Sequence, residues 1–121
     1  MIDNQYILKR LSPHVDKLSE IASYLNLPAH QHNTENLEIT RCVADTVDRL
    51  DGMLEEIRTS NDRTRTNLLL LEIFNVVGIP IRKITELPSR FAVYVSDYLS
   101  HAGDIGYKAL NLRDGVTQHD N

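Results

Sequence analysis

His30-Gln31-His32 is the fragment of this chain best suited to coordination chemistry. Two imidazoles one residue apart offer two nitrogen ligands to zinc or nickel, provided a third ligand arrives from elsewhere. No Cys or Asp stands close by, and Cys42 belongs to the next element, so the fragment reads as a solvated polar loop. Glu72 is the second group of interest, because it interrupts an apolar run. A carboxylate buried there must be paired or have its pKa raised, and an arginine reaching across the fold is the expected partner. No Glu is followed three residues later by His, the spacing that builds carboxylate-bridged metal sites inside helical bundles. The five glycines, at 52, 78, 103, 106 and 115, form no phosphate-cradling loop. No Ser-His-Asp set or paired cysteine motif is present. The sequence therefore assigns no catalytic residue, no metal ligand and no cofactor.

The elements that would carry these side chains are helical. Leu8, Leu11, Val15, Leu18, Ala22 and Leu25 recur at alternating spacings of three and four, which places them on one helix face. Ser12-Pro13 falls inside this stripe without shifting its phase, so either a short helix precedes a longer one or a single helix kinks at the proline. A polar loop follows Leu27-Pro28. Thr34 can cap a second helix whose first turn holds Glu35 and Glu38, where the backbone dipole favours acids. Ile39, Val43, Val47, Leu50, Leu54 and Ile57 form its apolar stripe, with Gly52 the weak point. Thr59 to Asp62 is a turn. The run from about Arg63 to Val77 is apolar nearly all round, which predicts a central, largely buried third helix ended by Gly78 and Pro80.

Beyond that point the pattern is weaker. Residues 81–87 read as a short helix or a linker, and Ser89 caps a fourth helix on which Phe91, Val95, Tyr98, Leu99 and Ala102 share a face. Gly103 ends it in this reading. Residues 104–112 then form a last short helix, and 113–121 a polar, frayed tail. The expected architecture is thus an all-α bundle of four to five helices, one domain over residues 1–112. Two apolar stripes plus an all-round apolar helix exceed what a monomer of 121 residues covers comfortably, which predicts a homodimer. The five tyrosines are scattered at helix edges and suit core margins or an interface better than a base-stacking platform.

Two short segments resemble motifs of known families. Leu18-Ser19-Glu20-Ile21-Ala22-Ser23-Tyr24-Leu25-Asn26-Leu27-Pro28 is similar to the first helix and turn of winged-helix repressors, which would imply a DNA-binding regulator using about residues 18–38. In those proteins apolar anchors follow about four and seven residues after the proline position; here His32 and Glu35 occupy those places. Arg113-Asp114-Gly115-Val116-Thr117-Gln118-His119 resembles, in spacing, the arginine-to-histidine motif of small helical ribonucleases of the HEPN type. That motif lies on a helix at a dimer interface and would imply nuclease activity, whereas Gly115 argues here against an ordered helix.

Charge separates the remaining functions. The formal total is −4, from 13 bases and 17 acids, too acidic for bulk attraction to nucleic acid. Along the chain it is uneven: residues 1–34 are neutral, 35–57 hold seven acids against two arginines, 58–90 hold six bases against three acids, and 91–121 come to −2. An acidic helix thus precedes an arginine-bearing turn. These faces either attract each other within the fold or form a docking surface, and Asp45, Asp48, Glu55, Glu56, Arg58, Arg63 and Arg65 are the candidate partner-binding residues. A lone cysteine, an N-terminus without basic and apolar signal regions, and an apolar maximum at 66–81 broken by Glu72, Gly78 and Pro80 fit a cytoplasmic protein without a bilayer span. The expected function is a small non-catalytic regulator, inhibitor or adaptor acting on a partner protein.

Overall fold

The structure is a computed structural model, and it describes residues 3–25, 34–78, 80–85 and 92–118. Those residues form α1 (Asn4–Leu25), α2 (Thr34–Thr59), α3 (Arg63–Gly78), a short α4 (Ile81–Thr85) and α5 (Ala92–Gln118). α1 packs along α2 and α5, while α3 packs along α5 and α2, giving a bundle of four long helices. Among the described residues there is no strand, and no helix is long and apolar enough to cross a membrane.

Local chemistry explains where the helices start. The Asp3 carboxylate accepts a hydrogen bond from the Tyr6 backbone N–H at 2.8 Å, and the Asp62 carboxylate accepts one from the Thr64 N–H at 3.0 Å. Both are N-caps that satisfy donors the helix itself cannot reach. α1 is one helix that runs through Pro13. Proline removes a single intrahelical bond, and the buried line Ile7, Leu11, Val15, Leu18 and Ala22 holds the two halves in phase. In α2 all six stripe residues, Ile39 through Ile57, are buried, and the two stripes meet in one chain's own core.

α5 corrects two expectations. It is a single helix of 27 residues, so Gly103 does not end it, and residues 113–118 are its last turns instead of a frayed tail. Tyr98, Ala102, Ile105, Ala109, Leu112 and Val116 are buried in succession, at helical spacing across the glycine. A mid-helix glycine costs about 1 kcal/mol, whereas burying one large aliphatic side chain stabilises by roughly 1.5–3 kcal/mol. Three such residues lie beyond Gly103, so packing wins. The terminus is further held by Arg63, whose guanidinium donates to the Val116 carbonyl at 2.5 Å.

α3 is amphipathic in this fold. Leu69, Leu70, Ile73, Val76 and Val77 are buried, but Leu68 is 48% exposed and Phe74 40% exposed. Glu72 is exposed as well, which overturns the expectation of a buried carboxylate needing a partner across the fold.

Candidate functional site

The buried stripe of α2 dictates where its charges point. With positions 43, 47, 50, 54 and 57 inward, Asp45, Asp48, Glu55 and Glu56 are exposed. Asp45, Asp48 and Glu55 follow one another at spacings of three and seven, a line along one side of the helix. At its C-terminal end Glu55 pairs with Arg58 at 2.8 Å, one turn away. Glu56 pairs instead with Arg65 of α3, taking a hydrogen bond from Nε at 2.5 Å and one from the terminal Nη2 at 3.1 Å. This fork holds the Glu56 carboxyl below its ordinary range and raises the already high Arg65 pKa.

Glu55, Glu56, Arg58 and Arg65 thus gather around the α2–α3 turn. Asp45 and Asp48 lie two to three helical turns away, at about 1.5 Å per residue. Arg63 is spent elsewhere, on the Val116 carbonyl. It stands at the end of the bundle with Asn4, whose side-chain amide donates to the Ser60 carbonyl at 2.7 Å, beside a depression of about 210 Å³. Midway along α2, Asp51 has its pKa raised, first by partial burial and then by Asp16 of α1 and Asp48. Asp16, Asp48 and Asp51 thus bring like charges together along the α1–α2 seam.

The uncovered side of α3 borders the charged turn. Arg65, Leu68 and Glu72 follow at spacings of three and four, with the partly buried Leu71 and the half-exposed Phe74 beside them. The Phe74 ring lies across Gly106 of α5. The outward face of α3 thus runs from Arg65 at the α2 border through Leu68 to Phe74 at the α5 border. Tyr98 alone among the tyrosines is fully buried, where burial drives its pKa upward; Tyr24 and Tyr94 stack with ring centroids 4.3 Å apart.

A second cluster, at the α1–α5 contact, escaped the sequence reading. His101, Asp104 and Lys108 share one face of α5 at spacings of three and four, and His14 meets them from α1. The Nδ1 atoms of His14 and His101 are 3.2 Å apart, Asp104 Oδ2 is 3.9 Å from His14 Nδ1, and Lys108 Nζ donates to His14 Nε2 at 2.6 Å. With Nε2 accepting from an ammonium, neutral His14 carries its proton on Nδ1 and donates to His101. The His14 side chain is 19% exposed and that of Asp104 53%. Burial, then the Lys108 charge, lowers the His14 pKa against the opposing pull of Asp104. The i, i+3, i+7 spacing was visible in the sequence, but a helix stop at Gly103 separates its members.

His30 and His32, the first metal candidates, lie outside the described residues, as does His119. Arg113 is partly buried within α5, and Gly115 does not interrupt that helix. Compared with protein-family models, with curated proteins and with solved structures, the chain matches none.

Proposed function

We propose that this chain is a small non-catalytic interaction protein, a regulator, inhibitor or adaptor, that docks its polarised α2–α3 surface on a partner protein and pairs with a second copy of itself. The observation carrying the reading is the outward face of α3, where Leu68 is 48% exposed on the side of the Glu56–Arg65 fork and Phe74 is 40% exposed at the α5 border. Exposed apolar side chains ringed by charge are the composition of association surfaces, where the apolar groups supply affinity and the charges set orientation. Pairing through this side would make α3 the central, all-round buried helix that its leucine run predicts. The acidic line Asp45, Asp48 and Glu55, together with Arg58, then remains outward for a partner of complementary charge.

Light scattering on the eluting peak of a sizing column tests the pairing. The expected mass at micromolar concentration is twice 13.8 kDa, falling to one chain in Leu68→Ser/Phe74→Ser. A monomer mass for the unsubstituted chain overturns it. A gel shift with random duplex DNA at low salt separates this reading from a DNA-binding regulator built on residues 18–38. The acidic outer face of α2 opposes phosphate contact, so no shift is expected.

A further inference from the structure

We propose that His14, His101 and Asp104 form a binding site for one divalent transition-metal ion, zinc foremost, that bridges α1 and α5. The inference rests on geometry. Zinc–nitrogen bonds of about 2.0–2.1 Å in a tetrahedral shell put neighbouring ligand atoms roughly 3.3 Å apart. The two imidazole Nδ1 atoms are already 3.2 Å apart and face each other. The ligand atoms of all three residues lie within 4.8 Å of one another. Asp104 is half-exposed, so its carboxylate is free to rotate the remaining distance, and its charge offsets part of the ion's.

The donor set also selects the ion. Two imidazoles and one carboxylate suit zinc, nickel, cobalt or copper far better than calcium or magnesium, which take oxygen shells. Three protein ligands leave a fourth position for water. Val15, Ala102 and Ile105, beside His14 and His101, are buried, which fixes the backbones of α1 and α5. The ring-to-ring hydrogen bond keeps the two Nδ1 atoms near ligand spacing before any ion arrives, which lowers the ordering cost of binding.

Lys108 acts as a gate. It donates to His14 Nε2, which keeps the proton of neutral His14 on Nδ1, the nitrogen the metal needs. An ion entering at Nδ1 moves that proton to Nε2 or to solvent, and the Lys108 ammonium must withdraw from a nitrogen that no longer accepts. Removing Lys108 therefore favours the ion twice, by freeing the tautomer and by deleting a nearby positive charge.

The test uses the untagged chain with His30→Ala, His32→Ala and His119→Ala, so that the other histidines contribute nothing. Titration with zinc chloride in a calorimeter is expected to show one zinc per chain and a rise in Tm, because the ion binds only the folded arrangement. Asp104→Asn and His14→Ala are each expected to weaken binding by at least about tenfold, and Lys108→Met to tighten it severalfold. Asp104→Asn and Lys108→Met alter partly exposed side chains, so they keep the test valid should His14→Ala fail to fold. The proposal is overturned if no saturable zinc binding occurs in the triple-substituted chain, or if Asp104→Asn and Lys108→Met leave the affinity unchanged.

Discussion

The Phe74 ring of α3 rests on Gly106 of α5: a Cβ added at that glycine would stand 3.4 Å from Phe74 Cδ2 and 3.5 Å from Val77 Cγ2. The glycine is what lets the two helices approach while Phe74 stays half outside. Alanine fits at the edge of van der Waals contact, and the exposed ring can shift by the small distance required. Gly106→Ala is therefore expected to leave the urea midpoint unchanged or raise it, since alanine gains about 0.5–1 kcal/mol of helix propensity. Gly106→Leu is expected to cost roughly 1–3 kcal/mol through overpacking and to push Phe74 into solvent. A midpoint equal to that of the unsubstituted chain for Gly106→Leu would refute the close approach.

Gly52 and Gly103 present the opposite case. Both lie inside long helices, and nothing stands within 4 Å of a Cβ added at either. Gly52→Ala and Gly103→Ala should each stabilise by about 0.5–1 kcal/mol, and the double substitution by close to the sum, because the two sites sit on different helices. Thermal unfolding followed by circular dichroism reads this directly. A loss of stability in Gly103→Ala would contradict a continuous α5.

Asp51 makes stability depend on pH in a definite direction. Its folded pKa lies above the unfolded value of 3.8, through burial and the charges of Asp16 and Asp48. The folded state then holds the proton more tightly, so this group's penalty is absent below 3.8 and complete once pH exceeds the folded pKa. Asp51→Asn should melt higher than the unsubstituted chain at pH 7, with the gap closing as pH falls toward 3.8 and shrinking in added salt. An equal gap at both pH values would show that the ionised form of Asp51 is not its origin.

Tyr98 is fully buried, and among the described residues its hydroxyl meets no hydrogen-bond partner. An unsatisfied buried polar group costs about 1–3 kcal/mol, while the ring itself fills core volume. Tyr98→Phe keeps the volume and removes the hydroxyl, so a higher denaturation midpoint is expected. A drop exceeding about 1 kcal/mol would mean that the hydroxyl is bonded after all.

Most of the helical content was legible from spacing alone. The stripe of α2 predicts its buried apolar face residue by residue, because a 3.6-residue period fixes which side turns inward. That of α1 does the same, except that Ile7 is buried in place of Leu8 and Ile21 joins the face. The turn at 59–62 carries its own capping residues in the sequence, and Asp62 is the one that caps α3, whereas the cap at Asp3 has no such signal. α5 departs from its local pattern for a physical reason. Local propensity places a stop at Gly103, and only the burial of Ile105, Leu112 and Val116 against other helices outweighs it. The same local stop hides the histidine cluster, since His101, Asp104 and Lys108 share a face only on an uninterrupted helix.

Sequence by itself determined the helical class, the inward faces of α1 and α2, and the uneven charge that puts an acidic helix beside arginines, because each depends on residues close along the chain. Tertiary structure decided the rest. It turned one side of α3 outward with Leu68 and Phe74, paired Glu56 with Arg65, took Arg63 to the far terminus, and brought His14 within 3.2 Å of His101. Those pairings join residues up to 87 positions apart, and no local pattern encodes them. They are settled only when burial across the whole core outweighs the preferences of each segment.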